Sequence, residues 1–316
     1  MYKNKKIVVS IPCYNEKSFI IAVVKTIPDF VDEIIVVDDS STDDTFRAIN
    51  DFAQNSNDKR LVILKNEINL GVGGSTKAGF AAALKNKADI IVKIDGDGQM
   101  PIESLADFLD AIIDDGMDYA KGNRFMDAVS VKKMPKHRLF ANIVLTFLNK
   151  LGSGYWNIFD PQNGFVAINA QKYAHFDVSR VSNRYFFEND MLLQANIHNL
   201  RVKDIPIETI YGEEQSDINP MQVFITFPIL FTKMFFYRIY QKYILRDFSP
   251  IILFLLFGAI LFWFGFGFGL YHWTQSIITR TYASTGTVMI AAITFILGFQ
   301  LLLQAIVLDI QNTPKK

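Results

Sequence analysis

Two long stretches without a charged side chain constrain this protein more than any other feature of its sequence. No Asp, Glu, Lys or Arg occurs from Phe248 to Thr279, and none from Tyr282 to Leu308. Each stretch exceeds the roughly 20 apolar residues needed to cross a bilayer core, and helices of soluble domains rarely run so long without a charge. The pattern predicts a transmembrane hairpin over residues 248–310, joined by a short loop whose one charge is Arg280. Ahead of it lies room for a domain of ordinary size, residues 1–219. Residues 220–247 mix Phe, Ile, Leu, Met and Tyr with spaced Lys and Arg, which predicts helices lying in the membrane interface. A short tail, residues 311–316, closes the chain.

Basic residues set the expected orientation. Lys233, Arg238, Lys242 and Arg246 precede the first span, and Lys315 and Lys316 follow the second. The positive-inside rule then puts the N-terminal domain and both termini in the cytoplasm. An integral protein of the cytoplasmic membrane is expected, or of the endoplasmic reticulum in a eukaryotic cell. The opening Met1-Tyr2-Lys3-Asn4-Lys5-Lys6 leads within a few residues into a strand-like segment, so no signal peptide is expected. The single Cys13 excludes a disulfide scaffold and suits a reducing compartment. With 32 basic and 32 acidic residues the chain has no net charge, which argues against a nucleic-acid partner.

Within the first domain, short apolar runs alternate with helical patterns. Ile7 to Ile11, Glu33 to Val37, Leu61 to Leu64 and Asp89 to Ile94 read as strands. Residues 18–27, 44–53, 75–85 and 103–115 read as helices, with Ser41-Thr42-Asp43-Asp44 offering oxygen caps to the second. Such alternation predicts an α/β fold: a Rossmann-like, mostly parallel sheet with helices on both faces, whose ligands bind beyond the carboxyl ends of the strands. Beyond residue 125, helices are expected at 137–151 and 186–197 and strands near 165–169 and 202–207.

Three polar clusters stand at those strand ends: Pro12-Cys13-Tyr14-Asn15-Glu16, Asp38-Asp39 and Asp95-Gly96-Asp97-Gly98-Gln99. The last delivers two carboxylates and a carboxamide to one point. Hard oxygen ligands suit Mg²⁺ or Mn²⁺ that keeps positions open for substrate phosphates, which makes a nucleoside-diphosphate substrate the first hypothesis. Asn69-Leu70-Gly71-Val72-Gly73-Gly74-Ser75 precedes a helix and could offer N–H groups to phosphate, but it fits neither the dinucleotide fingerprint nor a phosphate-binding loop.

The ordered set Ile11-Pro12-Cys13-Tyr14-Asn15-Glu16, Val37-Asp38-Asp39-Ser40-Ser41, Asp95-Gly96-Asp97-Gly98-Gln99-Met100-Pro101, Gly122-Asn123-Arg124-Phe125, Arg138 with Asn142, Asp160-Pro161-Gln162-Asn163-Gly164-Phe165 and Phe187-Glu188-Asn189-Asp190 resembles the family 2 glycosyltransferases of GT-A fold. Within them it is similar to the polyprenyl-phosphate hexosyltransferases, the group like dolichyl-phosphate mannose synthase. The resemblance implies a nucleoside-diphosphate-sugar donor such as UDP-glucose or GDP-mannose, and a dolichyl or undecaprenyl phosphate acceptor. It implies Pro12, Tyr14, Glu16, Asp39 and Asp95 at the nucleotide, and Asp95, Asp97 and Gln99 on Mg²⁺ or Mn²⁺. Arg124 and Arg138 would meet the acceptor phosphate, with Asp160, Glu188 and Ser216 near the acceptor or sugar; Asp97, Arg124, Arg138 and Asp190 would serve catalysis. The Tyr211-to-Asp217 loop departs from the family pattern, with Asp217 where Lys is common. Two rivals differ in identifiable features. A processive polysaccharide synthase would carry Gln-x-x-Arg-Trp, absent here, and a non-enzymatic scaffold would be expected to have lost its metal ligands. Gly265, Gly267 and Gly269 permit close helix packing, either between copies in a homo-oligomer or between the two spans of one chain.

Overall fold

A computed structural model describes residues 1–56, 58–126, 136–208 and 220–314, without the side chains of 137, 138 and 220–224. The expected Arg138 side-chain contact, Ser216 and the Glu213–Asp217 loop therefore lie outside the described residues. The chain divides into two compact units. One is Met1–Met234 with the last residues after Thr313, and the other is Phe235–Thr313.

The first unit is built on one sheet of seven strands: β1 (Ile7–Cys13), β2 (Glu33–Asp38), β3 (Leu61–Lys65), β4 (Ile90–Lys93), β5 (Tyr119–Asn123), β6 (Val166–Asn169) and β7 (Val202–Pro206). Their order is β3-β2-β1-β4-β6-β5-β7. All neighbouring pairs are parallel except those made by β6, which runs antiparallel to β4 and β5. β1, β2 and β4 are buried along their whole length and read as nearly continuous apolar runs, whereas β3 is half-buried and β7 exposes Lys203 and Pro206. Alternate residues enter two cores. Ile7, Val9 and Ile11 pack with α1 (Ile20–Thr26), α2 (Thr45–Asn55) and α4 (Leu105–Ile113). Val8, Ile35 and Val37 pack with Phe80 of α3 (Val72–Lys85) and with Phe187, Met191 and Leu192 of α6 (Phe187–Ile197).

One local expectation needs correction. The third helix starts at Val72 rather than near residue 75, so Gly73 and Gly74 lie inside it. A Cβ at Gly73 would stand 2.3 Å from the Ser182 carbonyl oxygen, so the glycine serves a close backbone approach that outweighs its poor helix propensity. The second helix is met by an oxygen of the Ser41–Asp44 set as expected: Asp43 Oδ1 accepts from Thr45 N at 2.9 Å and from Thr45 Oγ1 at 2.5 Å, while Asp44 makes no side-chain cap.

Helix α5 (Lys136–Ser153) and the long α7 (Pro220–Tyr240) complete the described helices of interest before the spans. In α7, Phe227 and Phe231 pack edge-on to Phe186, while Ile225 and Ile229 stay exposed.

The second unit is a helical hairpin, α8 (Pro250–Thr279) and α9 (Thr285–Gln311). Ser249 caps α8 and Pro250 opens it, Ser284 caps α9, and Arg280 adopts a left-handed φ of 53° at the turn. Both helices are long and apolar enough to cross a membrane, and few of their side chains are buried. Such exposed apolar surface marks a membrane-associated protein. Gly265 and Gly298 let the two backbones approach, since a Cβ at either would fall within 2.4 Å of Phe295 N or 2.2 Å of Phe262 N respectively. Gly265 and Gly269 thus pack the two spans of one chain, whereas Gly267 has nothing within 4 Å. Arg238 is not the exposed cation its place in a basic run suggests. It is fully buried and pairs with Asp309 of α9 at 2.6 and 3.0 Å, with Tyr243 Oη donating to the same carboxylate at 2.5 Å.

Candidate active site

The three polar clusters converge at the carboxyl edge of β1, β2 and β4. A Cβ on Gly96 would lie 3.0 Å from Cys13 Cβ and 3.5 Å from Glu16 Cγ, which places the β4 end directly against the β1 end. Asn15, at a left-handed φ of 57°, ties the β1 end to the β2 end: its Oδ1 accepts from Thr42 N at 2.8 Å, and its N donates to Ser41 Oγ at 3.0 Å. Ser40 and Asp160 share this sparsely populated backbone region, at φ 59° and 51°. Backbone strain of this kind gathers where a surrounding structure over-determines a site. Pro12 is buried beneath this edge, and Tyr14 stands exposed on it with its ring face open for stacking.

Asp95, half-buried, receives Lys93 Nζ on Oδ1 at 2.5 Å. Asp97 Oδ1 accepts from Gln99 N at 2.9 Å, which closes the turn through Gly98 (φ 74°). The donor set Asp95, Asp97 and Gln99 fits a Mg²⁺ or Mn²⁺ ion in its chemistry. Two carboxylates and an amide are what such an ion takes from protein when substrate phosphates and water supply the rest. Among the described residues no group of three or more His, Cys, Asp or Glu is gathered for a metal, so an ion here would depend on the substrate for several ligands.

The loop from Asp160 to Phe165 joins this cluster to a second one. A Cβ on Gly164 would meet Lys93 Nζ at 2.4 Å and Asp95 Oδ2 at 2.8 Å. At the other end of the loop, Asp160 forms a two-pronged pair with Arg124: Nε donates to Oδ2 at 2.7 Å and Nη2 to Oδ1 at 2.6 Å. Burial alone would raise the Asp160 carboxyl, but the Arg124 guanidinium holds it down at about 2. Glu188, at the start of α6, lies in the field of both clusters. Its burial pushes the carboxyl up to about 8 against the opposing pull of Lys93, while Asp95 raises it further.

Asp39 and Asp190 are turned elsewhere. Asp39, expected at the nucleoside, is buried and accepts from Asn66 Nδ2 (2.7 Å), Leu70 N (2.9 Å) and Gly71 N (2.7 Å). The N–H groups of Leu70 and Gly71 are thereby committed to a carboxylate, and that of Gly74 to Asn183 O, so the segment packs as a helix entry. Asp190, expected to serve catalysis, accepts from Ser182 N at 2.9 Å and Ser182 Oγ at 2.5 Å. It holds the Ser182 turn.

Burial lifts the Asp190 carboxyl to about 6, against the Ser182 hydrogen bonds. An acid raised in the folded state destabilises folding once it must ionise. Stability is therefore full below about pH 4 and falls as pH rises toward 6, by about 3 kcal/mol from this group. Denaturant midpoints at pH 4, 5, 6 and 7 should show that decline reduced in Asp190→Asn, whose Oδ1 still accepts from Ser182. An identical pH slope in both proteins would exclude Asp190 as its source.

Two site residues escape sequence reading altogether. Lys93 and Lys121 are both 1 % exposed, on strands where alternation calls for apolar side chains. A lysine inside a buried run is the signal that would have found them, because an unpaired buried charge is costly.

Comparison with known proteins fits this architecture. The glucosyl-3-phosphoglycerate synthase of Mycobacterium tuberculosis, solved with Mn²⁺, UDP and phosphoglyceric acid, superposes with a TM-score of 0.53 at 19% identity, over 74% of this chain and 78% of that one. A seven-stranded mixed sheet with this carboxylate-bearing edge is the GT-A glycosyltransferase fold. Residues 8–176 match the model of Glycosyl transferase family 2, and the chain belongs to that family. One relative, UDP-N-acetylglucosamine--dolichyl-phosphate N-acetylglucosaminyltransferase of Methanococcus voltae, is 31% identical over 66% of this chain and 88% of its own length. Another, the undecaprenyl-phosphate mannosyltransferase of Micrococcus luteus, is 26% identical over 66% of this chain and 85% of its own.

Proposed function

We propose that this protein transfers a single hexose, with inversion, from a nucleoside-diphosphate sugar to polyprenyl phosphate at the cytoplasmic membrane face. The observation that carries this reading is the Asp160–Phe165 loop, which touches Asp95 at one end and Arg124 at the other. A donor-binding carboxylate and a phosphate-binding guanidinium are thus held by one short segment. The relatives' names, which cite dolichyl and undecaprenyl phosphate, support a lipid phosphate as the acceptor. The two apolar spans supply the membrane where such a lipid resides.

On this reading Tyr14 stacks on the base, with Pro12 shaping the pocket and Glu16 accepting from base or ribose. Asp95, Asp97 and Gln99 would hold Mg²⁺ or Mn²⁺, which when bound neutralises charge on the departing diphosphate. Arg124, with Arg138 from α5, aligns the acceptor phosphate in the bidentate manner that guanidinium favours. An acceptor oxygen forms the new bond to the anomeric carbon as the sugar–diphosphate bond breaks on the opposite side. The acceptor is already anionic at neutral pH, so no base need remove a proton. Alignment and charge compensation are the main catalytic tasks. Ser216 and Glu188 complete the surroundings of acceptor and sugar.

A panel of labelled UDP-glucose, GDP-mannose and UDP-N-acetylglucosamine, each tested with undecaprenyl and dolichyl phosphate, checks the proposal. One donor should yield a mild-acid-labile lipid product carrying a single sugar. Polymer, or no lipid-linked product from any pair, would refute it.

A further inference from the structure

Lys93, Val166 and Lys121 stand in one register across β4, β6 and β5, with Ser10 of β1 and Asp204 of β7 continuing the row. This row crosses the sheet on the face covered by α3 and α6, which is mostly apolar. A polar row inside such a core breaks the local pattern, and such breaks concentrate where function demands them.

The ammonium of Lys121 is directed at backbone. It donates to Gly122 O at 2.8 Å and, by a short contact, to the carbonyl of Asp160. The same Asp160 carbonyl accepts from Asn163 N at 3.0 Å. On the neighbouring strand, Asp204 Oδ2 accepts from Phe159 N at 2.8 Å and from Asn123 Nδ2 at 2.7 Å. The peptide flanks of Asp160 are therefore clamped from both sides by buried groups, and Asp160 is held at its left-handed φ of 51°. In that pose its carboxylate faces Arg124.

We infer that Lys121 is a positioning residue for the acceptor phosphate, acting through the Asp160 backbone to fix the direction of the Arg124 guanidinium. The inference rests on the proposed acceptor role of Arg124. Lys121 is 1 % exposed and donates to the Gly122 and Asp160 carbonyls, so it orders the acceptor side without touching substrate. Asp204 shares the task by holding Phe159.

The test compares Lys121→Met, which keeps the stem and removes the donors, with Lys121→Gln, which keeps a donor to the carbonyls. Steady-state kinetics of the full-length protein in detergent should show the KM for polyprenyl phosphate raised at least tenfold in Lys121→Met. The donor KM should stay within twofold, and Lys121→Gln should fall between Lys121→Met and wild type. A merely structural lysine would instead change both KM values together, or neither, and either result overturns the inference. If Lys121→Met fails to fold, the Lys121→Gln ratio of acceptor to donor KM decides by the same rule. Arg124→Lys separates this claim from the one beneath it. An unchanged acceptor KM in Arg124→Lys refutes the role of Arg124 itself. A raised value there with an unchanged one in Lys121→Met and Lys121→Gln refutes only the clamp.

Discussion

Asp97→Asn should reduce sugar transfer by at least about 100-fold while the protein unfolds at its usual temperature. The turn around Asp97 survives the change, because the amide Oδ1 can still accept from Gln99 N as the carboxylate does at 2.9 Å. What is lost is one of two negative charges available to a divalent ion. Several kcal/mol of charge stabilisation are at stake in such a site, and each 1.36 kcal/mol is a factor of ten in rate. Calorimetric titration of UDP and GDP with and without Mn²⁺ supplies the second reading. Metal-enhanced nucleotide binding should appear in the wild type and vanish in the variant. Undiminished turnover in Asp97→Asn, or equal metal enhancement in both proteins, would remove Asp97 from the metal assignment.

Arg124→Ala should lose both transfer and stability, and the two losses should be separable. Removing the guanidinium leaves the Asp160 carboxylate, 3 % exposed, without its main counter-charge. Breaking a buried pair from one side costs about 3–5 kcal/mol, and the lower end applies because Arg124 keeps 21 % exposure. Neutralising the orphan in Arg124→Ala/Asp160→Asn should recover most of that stability. Transfer should stay near the level of Arg124→Ala, because the guanidinium that aligns the acceptor phosphate beside Arg138 is still missing. Urea midpoints measured beside acceptor-dependent rates check both halves. Recovery of transfer in the double variant would make Arg124 a structural partner of Asp160 and nothing more.

Much of the fold was legible because its signals are local. Apolar runs of strand length alternate with helical patterns over the first 115 residues, and parallel strands buried on both faces leave that signature in sequence. Strand order and the reversed direction of β6 have no such local mark, since pairing joins residues far apart in the chain. The Gly-rich segment shows the same limit. Its glycines suit a phosphate loop as well as a close backbone approach, and only the Ser182 and Asn183 carbonyls beside it decide between them.

The candidate site divides in a similar way. Asp95, Asp97, Arg124 and Asp160 were named from ordered motifs, because the chemistry of phosphate and metal dictates residue type and spacing. Asp39 and Asp190 were named by the same reasoning; in the structure Asp39 accepts from Asn66, Leu70 and Gly71, and Asp190 accepts from Ser182. A motif states which groups are present; the competition among hydrogen-bond donors in three dimensions states which of them remain for a ligand. Lys93 and Lys121 make the complementary case. Each is a charge on a buried strand, and the neighbouring sequence does not say whether it faces water, a carboxylate or a carbonyl.

By itself, then, the sequence determined the two long charge-free spans, the alternation that makes an α/β sheet, and the three polar clusters at strand ends. All depend on composition over short distances, where side-chain chemistry acts directly on local conformation and on solvent. The tertiary structure alone decided that Gly164 brings Lys93 and Asp95 to one end of a loop whose other end holds Arg124. It alone also decided that Arg238 pairs with Asp309 instead of meeting solvent or headgroups. Those outcomes join residues as many as 71 positions apart. They follow from the requirement that every buried charge find a partner, which only the folded chain can satisfy.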